Sequence, residues 1–240
     1  EHEVDMSYTG EGGEGEVPIW LHVAPGLKGA DVLLIDNDFS NFEQYVDYAP
    51  YIIEALDQTS LSYEVWNADA HFDNPQTIPD TAELQRYDAV IWLTGDNIHP
   101  DTYYAVSVPL TAIDMHILAA YLDGGGRLLA IGQNLAQASD VNEKNDDPTW
   151  GRADFYHAYL GAHWLQGSLF GTEGEDVFPP QMGPGAVGLP DTFLSDVTLH
   201  LGPEGDGAGN QTSIDEIAPG GIADGSDLDL VKPVLMALDG

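Results

Sequence analysis

Asp31-Val-Leu-Leu-Ile-Asp-Asn-Asp38 decides the fold. Its interior is apolar without alternation, the pattern of a strand covered on both faces of a parallel sheet. The run then ends on three polar residues, Asp36, Asn37 and Asp38, so oxygen-bearing side chains stand where the chain leaves the strand. Downstream, the stripe Tyr45, Tyr48, Ala49, Ile52, Ile53, Leu56 has helical spacing, with Pro50 in the first turn. Leu61 to Trp66 and Tyr87 to Thr94 read as two further strands, separated by a Pro-containing loop from Ala70 to Thr81. Thr111-x-x-Asp114 has the form of a capping box opening a helix whose stripe is Ile113, Ile117, Leu118, Tyr121 and Leu122, stopped by Gly124-Gly-Gly126. Arg127 to Ile131 follows as a fourth apolar strand.

Apolar strands alternating with amphipathic helices predict an α/β fold, a doubly wound parallel sheet with right-handed crossovers, its first, third and fourth strands adjacent and central. Ligands of such sheets bind beyond the carboxyl ends of the strands. Before this unit, Gly10 to Glu16 is a Gly-rich, charged hairpin loop or linker, and Val17 to Val23 alternates like an exposed strand. After it, a helix through Phe155, Tyr156, Tyr159 and Leu160 leads into a strand at His163 to Leu165. Beyond Gly167 the chain is Gly/Pro-rich, with β signals at Val197 to Leu201 and Leu228 to Leu238. The expected organisation is the end of a preceding β module or a linker over 1–29, the α/β domain over 30–166 and an irregular, Gly/Pro-rich β-containing extension over 167–240 packed on the same domain.

Composition narrows the function. With 43% apolar residues in 240, the chain can bury a sizeable core. Six Lys plus Arg against 41 Asp plus Glu give a formal charge of −35, a surface that repels polyanions, so neither nucleic acid nor an anionic membrane is an expected partner. Such a surface also repels itself, which salt or divalent cations relieve. There is no cysteine, hence no disulfide, thiolate metal site or thiol nucleophile. The acidic start has neither the basic nor the apolar region of a signal peptide, and a chain opening on Glu1 and closing on Gly240 is expected to be a piece of a longer processed polypeptide.

The ordered set Asp31 to Asp38, Tyr63-Glu-Val-Trp66, Tyr87 to Asp96, Leu118 to Leu129 and Phe155 to Ala162 resembles the class I glutamine amidotransferase-like, flavodoxin-like noncatalytic domain of secreted bacterial subtilisin-like peptidases. The resemblance covers about Ala30 to Leu165, with Gly205 to Asn210 and Asp215 to Pro219 similar to the tail of that module. It implies an extracellular accessory domain whose partners are the neighbouring domains of its parent and its protein substrate. Catalysis does not carry over. Where amidotransferases have Gly-x-Cys-x-Gly at the strand-to-helix elbow, this chain has Ala130-Ile-Gly-Gln-Asn134, and glycine has no side chain to present.

Candidate sites follow from the strand ends. Asp36 and Asp38, with Glu43 nearby, are the candidate ligands of a hard cation such as Ca²⁺; the competing reading is that they cap the turn and accept backbone amides. Asp96 and Asn97, leaving the third apolar strand, and Gln133 and Asn134, leaving the fourth, are the candidate lining of a polar-ligand crevice. No catalytic residue and no organic cofactor are expected. His157 and His163, six apart, do not share a helix face, and Asp224 to Asp229 lacks the spacing of a calcium helix-loop-helix. Three functions remain: an accessory or interaction domain, a module binding a cation or small polar ligand, and a degenerate amidotransferase-like hydrolase.

Overall fold

The computed structural model describes residues 7–10, 13–16, 30–40, 46–71, 74–95, 111–136, 139, 155–166, 185–200, 215–219 and 235–237. After a small antiparallel hairpin, β1 (Ser7–Gly10) and β2 (Gly13–Glu16), comes the sheet that the sequence announces. β3 (Val32–Asp36) pairs in parallel with β4 (Tyr63–Asn67) on one side and β5 (Ala89–Gly95) on the other, and β5 pairs in parallel with β6 (Leu128–Gly132). The order is β4-β3-β5-β6. From β3 the chain steps to β4 on one flank and later returns on the other, so the order reverses between β3 and β5.

Every residue of β3 is buried, and Leu33, Leu34 and Ile35 have 0% exposure. Because successive side chains point to opposite faces, burial throughout requires a layer on each. Leu33 and Ile35 pack with Val90, Trp92 and the Met115 and Leu118 side chains of α3 (Ala112–Asp123). Leu34 packs with Leu93 and with Ala49, Ile52 and Ile53 of α1 (Ala49–Asp57). α2 (Thr81–Leu84), a single turn capped by Asp80, adds Leu84 to the α3 side.

The capping box at α3 is present, and Asp114 does more than cap: its carboxylate also accepts from the Thr77 backbone N–H at 2.9 Å and hydroxyl at 2.8 Å, pinning the loop before α2 to the helix start. This buried polar residue turns the helix away from the face the sequence predicts. Asp114 and Met115 lie inward with Leu118, Ala119 and Tyr121, while Ile113 is 41% exposed. The helix ends at Gly124 as expected, and Gly125 takes φ +87° in the tight turn to β6.

Two expectations change at the margins. β6 lies beside β5 but forms an edge among the described residues, with Leu129 54% exposed, so it is not central. The helix expected through Phe155 to Leu160 is a π-type turn, Tyr156–Leu160, closed by left-handed Gly161. β7 (Ala162–Gln166) then runs antiparallel to β10 (Glu216–Pro219), and β8 (Gly185–Gly188) stands between β9 (Thr198–His200) and β11 (Leu235–Ala237). Val17 to Val23 and Asp224 to Asp229 lie outside the described residues. No helix among the described residues is long and apolar enough to cross a membrane.

The rotated face of α3 is testable. Leu118→Ala removes a side chain with no exposed surface and should cost about 2–5 kcal/mol in urea unfolding. Ile113→Ala should stay within about 1 kcal/mol of the parent, since it is a largely exposed position.

Candidate metal centre

β3 ends on Asp36 at the point where the strand order reverses, the general location of ligand sites in open parallel sheets. Two residues on is Asp38. In the parallel register Asp36 lies opposite Asn67 of β4, and two residues beyond Asn67 is Asp69, in the 3-10 turn Asp69–His71. Equivalent steps past two adjacent strand ends bring the carboxylates together: one oxygen from each of Asp36, Asp38 and Asp69 lies within 4.8 Å of the others. All three residues are buried, at 7%, 0% and 1% exposure.

The loops carrying them are locally determined. Both Asp38 oxygens accept backbone amides, Oδ1 from Ser40 at 3.0 Å and Oδ2 at 2.6 Å from Tyr48, the residue before α1, while the first amide of α1, Ala49 N–H, donates to Asp47 Oδ1 at 3.1 Å. The turn-capping reading therefore holds for Asp38. It does not hold for its companions. Asp36 Oδ1 and both Asp69 oxygens are buried without a hydrogen-bond partner among the described residues. The turn that presents Asp69 is held by Ala68 N–H donating to the Asp36 carbonyl at 2.8 Å, Ala70 N–H to Asn67 Oδ1 at 2.8 Å, and the Trp66 ring stacked on His71. β5 closes the third side through Gly95, at φ +55°, where a Cβ would come within 2.6 Å of Tyr48 and 2.8 Å of the Asp38 Cβ.

Burial pushes the Asp36 carboxyl up to about 7, reinforced by the charges of Asp38 and Asp47. Burial likewise pushes Asp69 up to about 7, reinforced by Asp36 and Asp38. The Phe39 and Ser40 amides point toward Asp69 and moderate its shift, without reaching hydrogen-bonding geometry. No basic side chain among the described residues forms an ion pair with the triad. Three buried carboxylates, without a counter-charge among the described residues, have the donor chemistry of a hard-cation site.

Of the residues singled out from the sequence, Asp36 and Asp38 belong to this cluster, and Glu43, Asp96 and Asn97 lie outside the described residues. Gln133 and Asn134 stand on the same edge but beyond β6, two strands from Asp36. The Gln133 backbone bridges Gly95 O and Asp215 N, and its buried Oε1 has no hydrogen-bond partner among the described residues. Asp69 was missed because its strand end was read only as far as Trp66; the signal was an acid standing past the next strand end at the same offset as Asp38.

The elbow is filled. A Cβ built on Gly132 would overlap the hydroxyl of Thr94, a fully buried residue on β5. Trp92 is core, and Trp66 donates its indole N–H to the Thr77 carbonyl at 2.8 Å. His157 and His163, which helical spacing kept apart, meet because Gly161 reverses the chain: Nε2 of the first and Nδ1 of the second are 2.9 Å apart. No family model, curated protein or solved structure matches the chain.

The raised acids set a pH dependence of the cation-free protein. A carboxyl whose folded pKa lies above its unfolded value near 3.8 binds more protons folded than unfolded, so its contribution is complete below the unfolded value and is lost as pH rises through the folded one. In chelator the melting temperature should fall between about pH 4 and pH 8, and Asp36→Asn with Asp69→Asn should flatten that slope. A profile equally steep in the double variant would assign the dependence to other groups.

Proposed function

We propose that this chain is a noncatalytic α/β module whose carboxyl-edge crevice takes up a hard divalent cation. The observation that carries the reading is Asp69: a carboxylate at 1% exposure, with both oxygens unpartnered among the described residues, facing two more buried acids. A buried charge of this kind is costly unless it is neutralised by protonation or paired, and a cation supplies the pairing that no side chain among the described residues gives. The reading as noncatalytic is supported by Gly132 at the elbow, by Thr94 filling the space a nucleophile would need, and by the absence of cysteine.

At a finer level we propose a doubly wound, flavodoxin-like domain of the amidotransferase-like kind, acting as an accessory of a secreted subtilisin-like peptidase with its neighbouring domains as partners. The motif set from Asp31 to Ala162 supports this, together with the parallel sheet and its reversal of strand order. Full-length parent polypeptide should cleave protein substrate while this chain alone does not.

The cation reading is tested by thermal unfolding in chelator, in NaCl and in CaCl₂ matched for ionic strength. Stabilisation by CaCl₂ beyond NaCl is expected, growing by about 1.4 kcal/mol for each tenfold rise in Ca²⁺ above the dissociation constant, and disappearing in Asp69→Asn. Equal shifts in the two salts would leave general screening of the −35 charge as the whole effect.

A further inference from the structure

We infer that the ion is Ca²⁺ and that it acts as a clamp between two loops, the turn after β3 and the turn after β4, closing the edge of the sheet rather than presenting a metal to an outside ligand. This rests on the cation reading above and adds the ion's identity and its mechanical role.

Enclosure comes first. The three ligands are 0% to 7% exposed, so an ion among them is shielded from bulk solvent. Mg²⁺ demands near-ideal octahedral geometry and gives up its waters reluctantly, whereas Ca²⁺ dehydrates readily and accepts irregular, partly bidentate carboxylate ligation. The donor set suits the latter. Asp69 has both oxygens available and Asp36 has Oδ1, while each Asp38 oxygen keeps a lone pair beyond the amide it already accepts. Asp38 is thus oriented in advance by the backbone, and Asp36 Oδ1 and both Asp69 oxygens are buried without a hydrogen bond among the described residues.

The clamp follows from where the ligands sit. Asp36 and Asp38 bracket Asn37, and Phe39 immediately beyond takes φ +67°, a left-handed conformation that costs a non-glycine residue energy unless its surroundings enforce it. Asp69 sits in a three-residue 3-10 turn just past the end of β4. Between the loops, the Ala68 N–H donates to the Asp36 carbonyl at 2.8 Å. An ion held by Asp36 and Asp38 from the turn after β3 and by Asp69 from the turn after β4 ties both turns to one centre. The ion therefore acts on a local opening of the edge, while the β3 core beneath is held by its two apolar layers.

The test is residue-resolved hydrogen exchange of the full chain at pH 8 in chelator, CaCl₂ and MgCl₂, alongside calorimetry for uptake. In chelator the Ser40, Tyr48 and His71 amides should exchange faster than those of Ile35 and Trp92 in the sheet. CaCl₂ at 100 times its dissociation constant should slow the loop amides about 100-fold. MgCl₂ at the same concentration should slow them by less than a tenth of that factor. Asp69→Asn should abolish the Ca²⁺ effect, whereas Glu54→Gln, removing an exposed carboxylate from α1, should retain it. Ca²⁺ uptake with no change at the loop amides, or loop amides that exchange at the sheet's rate in chelator, would overturn the clamp and leave the cation site standing. Equal protection by MgCl₂ would overturn the assignment to Ca²⁺, and no uptake of either ion would remove the site itself.

Discussion

The double burial of β3 is the constraint on which the rest depends. Leu33, Leu34 and Ile35 have no exposed surface, and side chains that alternate between faces can all be buried only if both faces are covered. A covered aliphatic side chain contributes about 1.5–3 kcal/mol, which explains why the strand interior tolerates nothing polar. Polar residues are displaced to the strand ends, and because the strands are parallel, every carboxyl end falls on one edge. Asp36, Asp38 and Asp69 meet there by topology before any chemistry selects them. The lone reversal of strand order in this sheet, between β3 and β5, falls at that edge.

This logic made the sheet legible and the site only half so. Continuous apolar runs locate the strands, the Thr111/Asp114 spacing locates a helix start, and Gly124 to Gly126 locates its end, because each signal acts within a few residues. Asp36 and Asp38 were legible because they terminate the strongest run. Asp69 required knowing that β4 lies beside β3 in the register Asp36 to Asn67, a pairing that no local pattern states. The inward turn of α3 escaped for a related reason: Asp114 is buried because Thr77, 37 residues earlier, donates to it twice. The meeting of His157 and His163 likewise depends on left-handed Gly161, which spacing alone does not reveal.

Asp38 shows how a turn-forming residue and a candidate ligand can be one group. Its two backbone hydrogen bonds are the ordinary work of an aspartate at a loop and helix start, and they also fix its carboxylate against Asp36 and Asp69. Gly95 completes the arrangement from β5, since any side chain there would push against Tyr48 and Asp38. The local rules that build the fold thus leave the carboxylates of Asp36 and Asp69 over.

The interlock of Gly132 with Thr94 bears on how such a chain can evolve. Replacing the glycine with a residue able to attack a carbonyl drives its Cβ into a threonine hydroxyl that is itself walled in by the sheet. A single substitution therefore meets a steric barrier before any gain in reactivity can be selected. Thr94 must yield first, and that step brings no catalytic advantage of its own. The absence of a side chain at this turn is held in place by its neighbour, like a ratchet, so a nucleophile at position 132 needs two coordinated changes rather than one.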